Sequence, residues 1–146
     1  MKRVILTGGT GFVGANLAGR LLRDGHEVHL LVRPDCARWR LGGIERHAAF
    51  HETALDDPDR LAAIVSAVKP DWIFHLAAHG AYSWQTEAAQ MVRTNIMGTM
   101  NLVEACLKNG FEAFINTGSS SEYGFKEKAP SESDRLDPNS CYAVTK

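Results

Sequence analysis

The sequence predicts an α/β fold built on a doubly wound parallel sheet. Three observations carry the prediction. Short apolar runs alternate with helical patterns along all 146 residues. The runs are continuously apolar, as strands covered on both faces must be. A cluster of glycines follows the first run directly, at the turn from strand to helix where such sheets hold ligands.

Arg3 to Thr7 (RVILT) is the first short buried strand. Phe12 to Arg23 follows as a helix, with Phe12, Val13, Leu17, Leu21 and Leu22 close to one stripe. Gly25 ends it, because glycine takes positive φ without strain. Glu27 to Val32 is the second strand. Pro34 to Ile44 is polar and Arg-rich, a loop with at most a helical turn. His47 to His51 is a weak third strand. Pro58 to Val68 is a helix, with Pro58 suited to its first turn and Leu61, Ile64, Val65 and Val68 on one face. Trp72 to Leu76 and Glu112 to Asn116 are the fourth and fifth strands. Between them a helix is expected from about Thr86 to Lys108, closed by Asn109-Gly110. Gly118 to Ser140 is rich in Ser, Glu, Asp and Pro and is expected to be a surface loop.

Composition narrows the function. The chain is 45% hydrophobic and 23% charged, the balance of an ordinary globular domain. A net charge of −1 argues against a strongly electrostatic nucleic-acid partner. The 3 cysteines, Cys36, Cys106 and Cys141, are scattered and form no C-x-x-C pair, the pattern of reduced cytoplasmic thiols. The 6 histidines show no metal spacing, so no metal is expected. No apolar stretch approaches the roughly 18 residues of a membrane span.

The chemistry starts at Thr7-Gly8-Gly9-Thr10-Gly11-Phe12-Val13-Gly14. Both Gly9-x-Gly11-x-x-Gly14 and Gly8-x-x-Gly11-x-x-Gly14 fit a dinucleotide-binding Rossmann turn. The early glycines permit the tight turn, Gly11 permits close approach of a diphosphate, and Gly14 permits close packing of the helix. Unpaired N–H groups at the helix start then face the anion. Strand, motif and helix stand in the order the motif requires. About 20 residues further on, a carboxylate favours NAD and an arginine favours NADP. Arg33 stands there and favours NADP, whereas Asp35 would favour NAD; Arg38 and Arg40 are further candidates for a 2′-phosphate.

At the other end, Tyr142 and Lys146 are spaced to share one helical face. A phenol is mostly protonated at neutral pH, and a nearby ammonium draws it toward ionisation. Tyr142 could then exchange a proton with a substrate oxygen while a hydride moves to or from a nicotinamide. Upstream, Ser119, Ser120 and Ser121 follow the fifth strand, where a hydroxyl can bind the reacting oxygen. Turn chemistry is the other reading of such a cluster.

Together these motifs resemble the extended short-chain dehydrogenase/reductases, the family of nucleotide-sugar epimerases, 4,6-dehydratases and 4-keto-sugar reductases. The resemblance runs through the glycine loop, His75-Leu76-Ala77-Ala78, Asn95 within T-N-x-x-G-T, Ser120 to Gly124, and Tyr142-x-x-x-Lys146. It implies that Tyr142 is the acid/base, Lys146 its electrostatic partner, and Ser119 or Ser120 the hydroxyl. It implies a cofactor site of Gly8, Gly11, Phe12, Val13, Gly14, Arg33, Leu55, Leu76, Ala77, Ala78, Asn95, Tyr142 and Lys146. Glu122 is a possible second acid, but Ser121-Glu122 replaces the Asp-Glu pair of the dehydratases, which counts against dehydration. Ala54 stands where relatives place an aspartate against the adenine, leaving Leu55 to pack there. His79, Ala81, Tyr82, Ser83 and Trp84 fall where the family lines its substrate pocket.

The expected activity is hydride transfer between NADP, or NAD, and a carbon of a nucleotide-linked sugar, as a 4-keto reductase or an epimerase. A non-catalytic dinucleotide-binding or interaction module is the alternative. The resemblance also implies a chain of about twice this length, so residues 1–146 are expected to form the cofactor domain without the C-terminal substrate domain. A homodimer of the complete protein is expected through the 86–108 helix and the last helix.

Overall fold

The computed structural model describes residues 1–146. Five parallel strands form one sheet in the order β3-β2-β1-β4-β5: β1 (Arg3–Thr7), β2 (Glu27–Val32), β3 (Ala49–Glu52), β4 (Trp72–His75) and β5 (Ala113–Asn116). In the centre, Ile5 registers with His29 on one side and Ile73 on the other. This is the doubly wound sheet that the sequence predicts.

Side chains alternate across β1 and feed two cores. Ile5 joins Leu31, Ile73 and the apolar faces of α2 (Pro58–Val68) and α4 (Gly98–Asn109), through Leu61, Val65, Leu102 and Ala105. Val4 and Leu6 join Val28, Leu30 and Val32 beneath α1 (Phe12–Arg23), through Ala18 and Leu21. Burial on both faces explains why these strands read as unbroken apolar runs.

The ends of the elements follow local chemistry. Asp57 caps α2 by accepting from the Arg60 N–H at 2.9 Å, with Pro58 in the first turn. At the end of α1, Gly25 takes φ +80°, and His26 N–H and Gly25 N–H close onto the carbonyls of Leu21 and Leu22. That pairing satisfies carbonyls the helix would otherwise leave bare.

Several boundaries differ from the sequence reading. β3 starts at Ala49, where its pairing with β2 begins. β5 starts at Ala113 and pairs with β4 alone. The expected 86–108 helix comprises α3 (Ala88–Met91), a π-helical stretch at Val92–Met97, and α4. The loop after Gly118 contains a 3-10 turn at Ser120–Tyr123. The last helix, α5, covers only Cys141–Val144. No helix is long and apolar enough to cross a membrane.

Candidate functional site

β1 pairs with β2 on one side and β4 on the other, so the chain leaves the sheet in opposite directions at that point. Doubly wound sheets open a crevice at such a switch, beyond the carboxyl ends of the strands. Here that crevice is a cleft of about 480 Å³. The glycine loop lines it, with the ends of all five strands contributing through Arg33, Thr53, Leu76 and Thr117, among others.

The loop is a junction of bare backbone. Gly8 has φ +70°, and a Cβ there would lie 2.7 Å from the Leu76 carbonyl carbon. A Cβ on Gly14 would lie 2.2 Å from the Gly8 oxygen. Gly14 thus packs against the loop itself, a closer engagement than the sheet packing expected of it. Gly11 has only the Gly8 oxygen near its Cβ position and is exposed to the cleft. The N–H groups of Phe12, Val13 and Gly14 find no acceptor in the protein, and no acidic residue occupies the first turn of α1. An anion placed there meets free donors and the positive end of the helix. The residues present therefore fit the diphosphate of a dinucleotide.

Behind the loop runs a buried chain of hydrogen bonds. Thr7 Oγ1 accepts from the Ala77 N–H (3.1 Å) and bonds His75 Nδ1 (2.7 Å). His75 Nε2 bonds Thr99 Oγ1 (2.9 Å), which donates to the Asn95 carbonyl (2.6 Å). Because Thr99 spends its proton on that carbonyl, His75 must donate from Nε2. Nδ1 is then the acceptor for Thr7. A second proton on the ring would break this order. Burial, reinforced by the charge of Lys146, pushes the His75 pKa down to about 4. His75 is therefore a structural strand histidine that ties the end of β1 to β4 and α4.

Asn95 is buried and does not line the cleft. Its Oδ1 accepts from His79 N–H (2.8 Å), and its Nδ2 donates to the His79 carbonyl (2.9 Å) and to Thr145 Oγ1 (2.9 Å). Asn95 so clasps the loop after β4 and anchors the segment that carries Tyr142 and Lys146.

Tyr142 and Lys146 both line the cleft. α5 stops at Val144, with Thr145 as its cap and Lys146 beyond it. The Thr145 hydroxyl donates to the Tyr142 carbonyl (3.0 Å) while accepting from Asn95. Burial lowers the pKa of Lys146, and the Glu122 carboxylate partly offsets this.

Ser119 and Ser120 lie outside the cleft lining, whereas Thr117 and Gly118 belong to it. Ser119 caps the Ser120–Tyr123 turn: its hydroxyl oxygen accepts from the Ser121 N–H (3.2 Å), and Glu122 accepts from the Ser119 N–H. The S-x-x-E spacing is the sequence signal for this cap. Glu122, Ser83 and Trp84 do not line the cleft, but His79, Ala81 and Tyr82 do.

Of the remaining expected cofactor residues, Arg33, Leu55, Leu76, Ala77 and Ala78 all reach the cleft. The structure also ranks the arginines. Arg38 is taken by Glu52 and lies over the Phe50 ring at 5.1 Å. Arg40 lies over the Trp39 ring at 4.0 Å. Of these three only Arg33 lines the cleft, and it makes no ion pair. Asp35 is outside the lining. Sequence reasoning missed Thr117 and the trio Gln90, Arg93 and Thr94; the i, i+3, i+4 spacing of that trio is the available signal.

The profile of the NAD dependent epimerase/dehydratase family matches residues 4–146. UDP-glucuronate 4-epimerase 1 of Arabidopsis thaliana is 38% identical, over 98% of this chain and 36% of its own. UDP-glucose 4-epimerase of Thermotoga maritima, solved with UDP-glucose, superposes with a TM-score of 0.87 at 29% identity, over 97% of this chain and 47% of its own. UDP-glucose 4-epimerase of Brucella ovis, solved with NAD, gives a TM-score of 0.87 at 26% identity, over 99% of this chain and 44% of its own. The chain thus spans less than half the length of these proteins. The Brucella ovis structure contains NAD, so a preference for NADP finds no support there and rests on Arg33 alone.

Proposed function

Because the chain belongs to the NAD dependent epimerase/dehydratase family, we propose that the protein is an NAD(P)-dependent enzyme that moves a hydride at a carbon of a nucleotide-linked sugar, as a reductase or an epimerase. One observation carries the reading. The unpaired amides of Phe12, Val13 and Gly14 share a single cleft with Tyr142 and Lys146. Residues 1–146 are then the cofactor-binding domain. Gly8, Gly11 and Gly14 leave room for the diphosphate, and Leu55, Leu76, Ala77 and Ala78 supply apolar and backbone contacts. Asn95 serves from behind, as the clasp on His79.

The bound dinucleotide supplies the hydride donor or acceptor. The chain's own part is the proton. Tyr142 Oη exchanges it with the sugar oxygen, and Lys146 sets the local charge. Thr117 stands in the cleft where Ser119 and Ser120 do not. A Ser119 role at the reacting oxygen uses its hydroxyl proton, since its lone pairs already accept from the turn.

The test is Tyr142→Phe in the complete enzyme. Turnover of a nucleotide sugar should fall by about 10²–10⁴-fold, the usual worth of a positioned acid/base, with dinucleotide affinity nearly constant. Unchanged turnover would remove the role. For the cofactor, we propose that Arg33 favours NADPH over NADH. Arg33→Ala should cut that preference by roughly tenfold, as loss of one charge-assisted contact predicts. Equal binding of the two by the unaltered protein would end the NADP assignment and leave NAD.

We also propose homodimerisation through the π-helical stretch and α4. Val92, Ile96, Met100 and Leu107 fall along one stripe, and each is at least 37% exposed. Val144 on α5 is 65% exposed and is the expected second element of that contact.

A further inference from the structure

The glycine loop offers a diphosphate amides but no cation. From Thr7 to Asn16 the chain has no lysine or arginine, and the basic residues of α1, Arg20 and Arg23, lie in its last turn. A diphosphate carries charge that bare amides and a helix end only partly balance. The cleft must supply the rest. Its charged lining residues are Arg33, Asp56, Arg93 and Lys146. Arg33 sits at the β2 end and Lys146 beside the reacting group, which leaves Arg93.

Arg93 is exposed and has no carboxylate within ion-pair distance. Its one side-chain partner is neutral: Nη2 donates to Gln90 Oε1 at 3.1 Å. The other end of the same amide, Gln90 Nε2, donates to Thr94 Oγ1 at 2.9 Å. Gln90 therefore holds both neighbours by one planar group. The Thr94 hydroxyl proton and the remaining guanidinium donors stay free. All three side chains line the cleft. The result is a donor-rich patch with a fixed positive charge and nothing anionic against it.

The fold carries this patch to the glycine loop through two contacts. Gly8 abuts the backbone of Leu76 and Ala77, at distances that admit no Cβ. The same loop, at His79, is clasped on both its N–H and its carbonyl by Asn95. Asn95 directly follows Arg93 and Thr94 in the chain. The helix wall is thus fastened to the loop that meets Gly8.

We propose that Arg93, steadied with Thr94 by Gln90, is the counter-charge for the cofactor's diphosphate. The inference rests on the dinucleotide reading of the cleft given above. It assigns three cations along one ligand: Arg33 toward the adenosine ribose, Arg93 at the diphosphate and Lys146 toward the nicotinamide.

The experiment titrates NADH, ADP-ribose, AMP and UDP-glucose into the unaltered protein, Arg93→Gln and Arg93→Lys, at low and high salt. Circular dichroism checks that each variant is folded. Arg93→Gln should weaken NADH and ADP-ribose by about tenfold, the scale of a charge-assisted hydrogen bond. AMP should change by less than about threefold, as expected for a screened charge at a distance. The salt dependence of NADH binding should flatten, and Arg93→Lys should recover part of the loss. Equal affinities of the unaltered protein and Arg93→Gln for NADH and ADP-ribose would overturn the proposal. A loss confined to UDP-glucose would also overturn it, because the charge would then serve the sugar nucleotide. If the unaltered protein bound neither NADH nor ADP-ribose, the dinucleotide reading itself would fail, and this inference with it.

Discussion

The two ends of the cleft are built in opposite ways. At the β1–β4 end, backbone meets backbone, and the side chains beneath it are fully buried; Val4, Ile5, Leu6 and Ile73 are all at 0% exposure. At the β5–α5 end, Tyr142 and Lys146 are only partly buried. That second end is held by small polar devices: the Ser140 hydroxyl capping α5 at Ala143 N–H (3.1 Å), and Asn95 grasping Thr145 (2.9 Å). The contrast teaches where each function resides. On the proposed function, holding an anion falls to the tightly packed end, and presenting the reacting groups to the end fastened by a handful of hydrogen bonds.

Substitutions should separate the two. The largest effect belongs to Gly14→Ala. Its Cβ would collide with the Gly8 oxygen, so α1 or the loop must move. Overpacking of this kind costs about 3 kcal/mol, near the upper end of the usual range. Urea unfolding should show that loss, together with loss of dinucleotide binding. A Gly14→Ala protein with unaltered stability and affinity would mean that the junction is softer than its geometry.

Asn95→Ala should come next, at roughly 2–3 kcal/mol, because it leaves buried polar partners at His79 and Thr145 unpaired. Hydrogen exchange should rise first at residues 140–146 and at His79, while the amides of β1 stay protected. Uniform loss of protection would erase the distinction between the two ends.

The smallest and most gradual effect concerns pH. The folded-state pKa of His75 is about 4, against an ordinary 6.5. The unfolded chain therefore takes up this proton first. The contribution is present above about pH 6.5 and is lost progressively as pH falls toward 4, reaching roughly 3 kcal/mol. Burial also lowers the pKa of His51, with the same sign. Unfolding free energies at pH 7 and pH 4.5 should differ less in His75→Gln than in the unaltered protein. An identical difference in the two proteins would show that His75 does not carry the slope.

The legibility of the sequence followed the same divide. The ranges of β1, α1, β2 and α2 were readable residue by residue, because dense apolar patterns and local stop signals fix them. The glycine loop was readable for the same reason: its constraint is local. The edge strands were off by one or two residues, since pairing with a single neighbour sets their ends. The fastening of Thr145 by Asn95 was invisible, because the two lie 50 residues apart in sequence. So was the choice of Arg33 over Arg38, which depends on Glu52 and Phe50 in another strand. Ser119 was the opposite case: its capping spacing with Glu122 was present in the sequence, next to the catalytic reading of the same residue.

The meeting of Gly8, Gly14 and the Leu76–Ala77 backbone has an evolutionary corollary. A joint made of main chain alone gives selection almost nothing to tune, since any added atom is a collision. Mutational drift must then act on the rims, at positions such as Ala81, Tyr82 or Gln85, where a side chain can change without disturbing the floor. A lineage built on this joint can exchange one ligand for another while the joint itself stays the same.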